Sequence, residues 1–175
     1  MPAPAPSSLI DAVDELNRPI GTVERNRALQ TGVNFRTVHI LVTDDEGRLL
    51  VQQLSATRER HALRWGSSVA GYLYAGESYE QGAARRVREE LGISPCLHWV
   101  GVTSMLDEEA TKFVGVFTSR ASDARLVDSG HVAALEYWSQ ETVSDMIHNH
   151  PARLTDTFRH VLDFVGGWEN SNDRI

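Results

Sequence analysis

The alternation of hydrophobic and polar positions predicts several β-strands in the middle of the chain. Residues 35–43 (FRTVHILVT) are rich in β-branched side chains and partly alternate, which is typical of a strand. The polar stretch DDEG at 44–47 predicts a turn, so residues 49–53 return as the second strand of a hairpin. A loop with a short strand is predicted over 65–74, and further strands are predicted over 97–103, 112–118 and 135–138.

Apolar residues recur at helical spacing in later segments. One predicted helix covers residues 78–91 and ends at Gly92, a short one covers 140–149, and a last one begins at Pro151. The predicted apolar stripes are Ala83, Ala84, Val87 and Leu91 on the first, and Leu154, Phe158, Val161, Leu162 and Val165 on the last. Because strands and helices are intermixed, the class is α/β or α+β.

Composition narrows the kind of protein. The 175 residues, 41% of them hydrophobic, suit one domain over 9–168, with a disordered Pro-rich tail over 1–8 and a C-terminal tail over 169–175. The single cysteine, Cys96, excludes an internal disulfide and favours a cytoplasmic location, and we expect its thiol, like Trp65, to be packed. The net charge of −7 disfavours a nucleic-acid polymer, and the lack of an apolar run of about 20 residues disfavours a membrane.

The candidate chemistry is concentrated in the segment GYLYAGESYEQGAARRVREELGI at residues 71–93. Glu77 is predicted at the helix start, where a carboxylate suits the exposed backbone N–H groups. Glu89 and Glu90 are predicted on the polar side, away from the apolar stripe. Neighbouring carboxylates beside a glycine loop can hold Mg²⁺, which polarises a diphosphate and activates water. The alternative is a solvated face, because arginines precede both glutamates by four residues.

The spacing of this segment resembles the Nudix box, G-x5-E-x7-R-E-U-x-E-E-x-G-U, in which U is aliphatic. The matching positions are Gly71, Glu77, Arg85, Val87, Glu89, Glu90, Gly92 and Ile93. Position 86 departs from the box, because Arg86 stands where the family has a glutamate that usually helps bind the metal or the catalytic water. We expect Arg86 to form ion pairs with the remaining acids and to compete with Mg²⁺. The departure therefore affects the hydrolytic rate and the metal affinity, and not the fold.

Three further segments, residues 11–23, 47–53 and 65–71, resemble the isopentenyl-diphosphate-isomerase-like branch of Nudix proteins. Isomerases of that branch carry a catalytic Cys just before the box glycine and a His just after it. This chain has Ala70 and Tyr72 there, and alanine cannot protonate an alkene. The resemblance therefore implies a non-isomerase member, and hydrolases of the branch attack diphosphate bonds in nucleoside-diphosphate-linked compounds.

The resemblance implies a Nudix α/β/α sandwich, in which a mixed β-sheet lies between helices. It implies Mg²⁺ or Mn²⁺ as the cofactor, held by the Gly71 carbonyl, Glu89 and Glu90. Arg85 would orient the glutamates, so the candidate catalytic residues are Arg85, Glu89 and Glu90. The residues implied to support the loop and the helix start are Gly76 and Glu77. The implied activity is hydrolysis of a diphosphate bond in a small molecule.

Residues outside the box are weaker candidates. The branch resemblance places a diphosphate-contacting basic residue near Arg58, with a solvated loop as the alternative, and Arg36 faces either a cleft or solvent. Glu109 is a candidate for the extra carboxylate that Nudix enzymes often recruit, with an acidic turn as the alternative. His148 and His150 are not expected to share a metal, because residues two apart do not face together on a helix.

Two other functions stay open at this point. A binding module that kept the fold and lost turnover is favoured by Arg86 and disfavoured by the retained Glu89 and Glu90. A diphosphate isomerase is disfavoured by Ala70 and Tyr72. In each case the expected partner is a small-molecule diphosphate, and a homodimer is left open.

Overall fold

The computed structural model describes residues 9–127 and 130–166, so the tails predicted at 1–8 and 169–175 lie outside the described residues. The strands are β1 Leu9–Val13, β2 Pro19–Glu24, β3 Phe35–Thr43, β4 Leu49–Leu54, β5 Trp65–Gly66, β6 Val69–Tyr72, β7 Leu97–Asp107, β8 Ala110–Arg120 and β9 Val132–Trp138. The helices are α1 Arg25–Thr31, α2 Tyr79–Leu91, α3 Gln140–Asn149 and α4 Asp156–Phe164, with a short 3-10 helix at Pro151–Arg153. Over these ranges, no helix is long and apolar enough to cross a bilayer.

A mixed sheet of seven strands forms the middle layer of the described chain. The strand order is β5-β4-β3-β8-β7, with β6 also paired to β3 and β9 to β4. Strand β3 runs parallel to β8 and antiparallel to β6. This pairing holds β6 against the central strand β3. The loop over 73–78, which leads from β6 into α2, therefore starts from a fixed strand.

Helices cover both faces of the sheet. Val38, Ile40 and Val42 of β3 pack in one apolar cluster with Val87 and Leu91 of α2. The opposite face forms a second cluster with α3 and α4, which includes Leu41, Val114, Val116, Val143, Phe158 and Val161. Alternate residues of β3 therefore face different helix layers. The predicted α/β/α sandwich with a mixed sheet is confirmed.

Helix α2 begins and ends at the residues that local chemistry favours. The Ser78 side chain accepts a hydrogen bond from the Gln81 backbone N–H, and the Gln81 side chain accepts one from the Ser78 N–H. At the other end, Gly92 has a φ of +65°, a conformation that glycine adopts without strain. The helix predicted over 78–91 is confirmed, with Ser78 as its cap and with the stop at Gly92.

Two positions on α2 contradict the predicted apolar stripe. Ala84 is exposed, whereas Glu90 is buried among the residues facing the sheet. At about 100° per residue, Glu90 lies only about 20° around the helix axis from the buried Ala83. Ala84 lies about 100° around the axis from Ala83. The prediction that Ala84 faces the core was wrong, and so was the prediction that Glu90 points away from it.

The first two strands form a hairpin that the polarity pattern did not predict. Strands β1 and β2 pair antiparallel outside the main sheet. The loop before α2 rests on this hairpin, because the Ala75 N–H donates to the Leu9 carbonyl at 2.9 Å. The Gly76 N–H lies 3.2 Å from both carboxylate oxygens of Asp11. The hairpin therefore fixes the loop that opens the candidate site.

The start of the last helix also differs from the prediction. Pro151 begins the short 3-10 helix, and α4 begins only at Asp156. The Thr155 side chain accepts a hydrogen bond from the Phe158 N–H at 3.2 Å, so a capping threonine and not the proline sets the helix start. The predicted burial of Leu154, Phe158, Val161 and Leu162 is confirmed.

The remaining differences concern pairing and burial. Strands β3 and β4 pair only at Thr43–Leu49, because β6 pairs with the rest of that edge of β3 and β5 pairs with β4. Cys96 is exposed, so the predicted packed thiol was wrong. Trp65 is buried as predicted, and its ring centroid lies 5.1 Å from that of Trp138.

Candidate functional site

Arg85 joins the loop after β6 to helix α2. Its Nε donates to Glu77 Oε1 at 2.6 Å, and its Nη2 donates to Glu77 Oε2 at 2.9 Å. The same Nη2 donates to the Tyr72 carbonyl at 3.0 Å. The guanidinium carbon lies 3.7 Å from the centroid of the Tyr74 ring. This bidentate pair, stacked on an aromatic ring, fixes the loop against the first turns of the helix.

Glu77 is held as a carboxylate by the same contacts. Burial would raise its pKa, but the hydrogen bonds from Arg85 and from the Tyr74 N–H, the latter 2.7 Å long, outweigh burial and lower the pKa below its ordinary value. Glu77 and Gly76 therefore lie where the loop meets the helix start, the position that the box resemblance implies for them.

Arg86 bridges the two adjacent glutamates of the box. Its Nη1 donates to Glu89 Oε2 at 2.9 Å, and its Nη2 contacts Glu90 Oε1. Nη2 also donates to the Ala70 carbonyl at 3.3 Å. The Glu89 side chain is 43% exposed, whereas that of Glu90 is 6% exposed. Two carboxylates and a backbone carbonyl thus surround one guanidinium at the side of the loop.

The box glycine gives this guanidinium its space. A side chain at Gly71 would meet Arg86, with the added carbon only 2.8 Å from Arg86 Cδ. Gly71 itself pairs with Val38 across β6 and β3. The glycine is therefore required by the close approach of a side chain and not by an unusual backbone angle.

The oxygen atoms around Arg86 are of the chemical type that coordinates a divalent cation. Carboxylate and carbonyl oxygens are the ligands that Mg²⁺ prefers. Glu89 and Glu90 contact different nitrogens of the same guanidinium, so both carboxylates face one cationic group. Within 9–127 and 130–166, no group of three or more His, Cys, Asp or Glu side chains could hold a metal. A divalent ion at this place would therefore rely on two carboxylates and replace the guanidinium.

The structure places Arg36 away from these glutamates. Arg36 Nε donates to Asn17 Oδ1 at 2.7 Å, and its Nη1 lies 3.8 Å from an Asp11 oxygen. The guanidinium carbon lies 5.7 Å from the centroid of the Tyr79 ring. Arg36 therefore ties the central strand to the N-terminal hairpin. Its side chain is only 17% exposed, so the solvent alternative does not describe it, and the cleft alternative stays a prediction.

The other weaker candidates lie in exposed loops. Arg58 is exposed between β4 and β5, and Glu109 is exposed in the turn between β7 and β8. Glu109 thus lies in an acidic turn, and its role as the extra carboxylate stays a prediction. His148 Nδ1 bonds the Ser144 carbonyl one turn earlier, at 2.7 Å, and His150 lies 3.8 Å from Asp145. The two histidines thus have separate partners, as expected.

One polar cluster was missed at the sequence level. Lys112 is buried on β8, where it contacts Asp107, and Asp107 also contacts Arg60. The available signal was the alternation along β8, because Lys112 precedes Val114 and Val116 at the inward positions. The strand over 112–118 is predicted by its apolar residues, and the inward position of a lysine at its start is the sign of the polar cluster.

Comparisons with known proteins agree with the box motif. Residues 33–160 match the family model described as the NUDIX domain. The chain is 38% identical over 176 aligned positions to an isopentenyl-diphosphate Delta-isomerase of Streptomyces coelicolor, covering 94% of this chain and 81% of that protein. A 32% identical match over 124 residues, to an uncharacterised Nudix hydrolase of Pseudomonas aeruginosa, covers 71% and 73% of the two chains.

Other similarities are shorter or more distant. The match to the isopentenyl-diphosphate Delta-isomerase of Streptomyces avermitilis is 38% identical over 94 residues, so it covers 53% of this chain and spans about half, 48%, of that relative. A crystal structure from Deinococcus radiodurans superposes with a TM-score of 0.74 at 21% identity, covering 89% of this chain and 98% of that one. At that identity the structural similarity supports the fold alone.

Proposed function

The chain belongs to the Nudix family, and on this premise we propose that it hydrolyses a diphosphate bond in a nucleoside-diphosphate-linked or related small molecule. The observation that carries the proposal is the convergence of Glu89 and Glu90 on one cation beside the box loop. Relatives named as isomerases and as hydrolases both occur, so the choice between the two activities rests on this chain's own residues.

Glu89, Glu90 and the Gly71 carbonyl would hold Mg²⁺ or Mn²⁺. A bound divalent ion would neutralise phosphate charge and lower the pKa of a coordinated water. Arg85 donates to Glu89 Oε2 at 3.2 Å while its other nitrogens hold Glu77, so it orients the exposed glutamate relative to the loop. Burial of Glu90 against the sheet restricts its rotamers and keeps its carboxylate at the site.

Arg86 has a second role in this proposal. Once displaced from the glutamates, its guanidinium would lie beside the substrate's phosphate oxygens, which it can bind through two parallel N–H donors. The guanidinium would then stabilise the negative charge that develops on the leaving phosphate. In that case, the family's glutamate would bind the metal, and Arg86 at the same position in this chain would bind the phosphate instead.

A binding module without turnover is the second candidate. Three acceptors hold Arg86, namely Glu89, Glu90 and the Ala70 carbonyl, so a divalent ion must compete with an internal cation. If that competition always favours Arg86, the chain binds a diphosphate through its arginines and does not hydrolyse it. Ala70 and Tyr72 disfavour the third candidate, an isomerase, because neither replaces the acid–base cysteine.

The deciding experiment measures the cleavage products, phosphomonoesters or inorganic phosphate, of nucleotide sugars, nucleoside diphosphates and dinucleotides, each with Mg²⁺, with Mn²⁺ and with excess chelator. Hydrolysis that requires the metal and is lost in the Glu90→Gln variant would support the proposal. The matched control is Glu80→Gln, because Glu80 is an exposed glutamate in the first turn of the same helix. If a compound binds but none of the compounds is cleaved, the binding module is favoured instead.

A further inference from the structure

Strand β7 forms an outer edge of the seven-stranded sheet. It pairs with β8 on one side, and in the part of the chain that the structure describes no strand pairs with its other side. The strand is 11 residues long, about twice the usual length. Every second residue of an edge strand directs its N–H and C=O groups away from the sheet, where another strand can bind them. The backbone of β7 can therefore accept one more strand.

The usual protections of an edge strand are missing from most of β7. Soluble proteins place lysine, other charged residues or proline on exposed edges, which prevents pairing with another chain. Residues 97–106 (LHWVGVTSML) contain no lysine, arginine, acidic residue or proline. A bulge interrupts the pairing with β8 at Val100, between Trp99 and Gly101. Residues 101–106 pair with β8 without a shift, so this half of the edge is regular.

Exposed apolar side chains lie on the side of β7 that faces the α2 layer. Val102 pairs with Gly115, and a side chain at Gly115 would meet the Tyr79 ring of α2. Leu106 shares this side, because side chains alternate along a strand, and it is 74% exposed. The Trp99 ring is half-buried, and its centroid lies 5.6 Å from that of Tyr79. An apolar strip therefore follows the free edge of the sheet.

The N-terminal hairpin lies on the same side of the sheet. Asn17, in the turn between β1 and β2, donates to the Tyr79 hydroxyl at 3.1 Å. The neighbouring Leu16 is 70% exposed, and Ile20 is 69% exposed. The aromatic ring that packs on β7 therefore also holds the turn that carries exposed apolar residues.

The end of β7 adjoins this hairpin as well. The Asn34 side chain accepts a hydrogen bond from the Thr111 N–H at 2.8 Å, and Thr111 is the β8 partner of Leu106. Asn34 lines one surface cavity together with Leu16 and Ile20. The strand and the hairpin thus form one exposed apolar surface, the β7 surface, which consists of Leu16, Ile20, Trp99, Val102 and Leu106.

We propose that two copies of this chain associate through the β7 surface, with residues 101–106 paired antiparallel to the same residues of the second copy. A two-fold axis perpendicular to the sheet relates such strands and keeps the α2 side of both copies on one side. An axis through Ser104 places Ser104 opposite itself. It also places Val102 opposite the partner's Leu106, so exposed apolar side chains meet twice. The inference does not depend on the proposed hydrolysis.

The charge and the size of the β7 surface favour a second copy as the occupant. Residues 101–106 carry no charge, so a copy of the segment meets no like charge, whereas a charged peptide would gain no ion pair there. The five apolar residues expose on the order of 600 Å², as much as the largest patch on typical monomers. Two copies would therefore bury more than the roughly 1,000 Å² that a specific interface needs.

Sedimentation equilibrium of the full chain over a range of concentrations tests the pairing. We expect a dimer for the wild type. Ser104→Lys and Ser104→Glu should each weaken it by at least about tenfold, because like charges then face each other across the axis. An equimolar mixture of the two variants should restore the dimer, since opposite charges then meet. Ser104 is exposed in the single chain, so either side chain can point into solvent.

The matched control is Ser122→Lys, which makes the same charge change at an exposed serine after β8. The preceding residue, Ala121, donates its N–H to the Thr43 carbonyl of β3 at 2.9 Å, so this position lies beside the central strand and away from the free edge. We expect unchanged dimerisation there. Added salt should strengthen the wild-type dimer, because each copy carries a net charge of −7 and salt screens their repulsion.

Four outcomes would overturn the proposal. They are a wild type that stays monomeric at the highest soluble concentration, a dimer that Ser104→Lys leaves intact, a dimer that Ser122→Lys weakens equally, and a dimer that salt dissociates. A mixture of the two Ser104 variants that stays monomeric would overturn the register centred on Ser104. Restoration by mixing also guards against damage to the fold, because two misfolded variants would not rescue each other.

Discussion

The side chain of Arg86 lies across the backbone of Gly71, so closely that a methyl group on the glycine would come within 2.8 Å of Arg86 Cδ. The most prominent glycine of the box and the residue that departs from the box are therefore in direct contact. The same guanidinium joins Glu89 to Glu90, so a change at Gly71 would be transmitted to both carboxylates.

Gly71→Ala should destabilise the protein by about 1–2 kcal/mol, because the methyl group displaces Arg86 from its acceptors. In an Arg86→Ala background the same change should cost almost nothing, since the clash is gone. Urea unfolding of the four proteins measures this coupling. Gly21→Ala is the control, because no heavy atom beyond its chain neighbours lies within 4 Å of the added carbon. Equal costs in both backgrounds would contradict the contact.

Glu90→Gln should lower metal-dependent turnover by orders of magnitude, because a charged ligand becomes a neutral one. The fold should survive, since the amide can still accept a hydrogen bond from Arg86. Steady-state formation of the cleavage products and a far-UV circular dichroism spectrum check both parts. Wild-type protein that keeps full activity in excess chelator would refute the metal-dependent mechanism.

Arg86→Glu should tighten Mg²⁺ binding by about tenfold or more. At about 5 Å and an effective dielectric constant near 20, each unit of charge is worth roughly 3 kcal/mol before solvation discounts it, and two units change. Calorimetry with Mg²⁺ measures the affinity, and the rate of product formation measured in parallel shows whether turnover rises with it. The control is Arg88→Glu, which makes the same charge change at an exposed position of α2. Similar gains in both variants would mean that only the overall charge matters.

The purified protein should not interconvert isopentenyl and dimethylallyl diphosphate. The position before the box glycine is Ala70, which has no proton to transfer, and the position after it is Tyr72. Product analysis after long incubation with Mg²⁺ and Mn²⁺ tests this expectation. Detectable turnover would mean that another acid on the same sheet face replaces the cysteine.

Glu77→Gln should destabilise the protein at neutral pH, and the difference from wild type should shrink in acid. The pKa of Glu77 is below its ordinary value of 4.5 in the folded state, so its stabilising contribution is complete above that value. The contribution is lost as the pH falls through the lowered pKa, where the folded carboxylate takes up its proton. Urea unfolding from neutral pH to about pH 3 measures the difference, and a difference that stays constant would contradict the role of the charge.

The sequence predicted the box helix well because its signals are local. Ser78 caps the helix and Gly92 ends it, and both act within one turn. The central strand was also predicted with its observed bounds, 35–43, from its β-branched residues. What failed locally was the direction of Glu90, because its angle was judged against a stripe that included the exposed Ala84, whereas Glu90 lies beside the buried Ala83. Burial with Arg86 as a partner overrides the usual preference of a carboxylate for the surface.

The features that could not be predicted depend on contacts between distant residues. The polar cluster around Lys112 joins a loop at Arg60 to two strands and to α4, and no spacing within one segment reveals all of its members. Arg36 is similar, because its partners Asp11 and Asn17 belong to a hairpin formed much earlier in the chain. The weak alternation of hydrophobic and polar residues in β1 and β2 does not indicate that Asp11 and Asn17 contact the central sheet.

The N-terminal hairpin also limits how far this protein can be truncated from its N-terminus. The family match begins at residue 33, yet Asp11 binds the Gly76 N–H and the Leu9 carbonyl binds the Ala75 N–H. A fragment trimmed to the match would keep every box residue and lose the support beneath the box loop. The family match is therefore smaller than the part of the chain that supports the box loop, and shortened versions of this chain should retain residues 9–24.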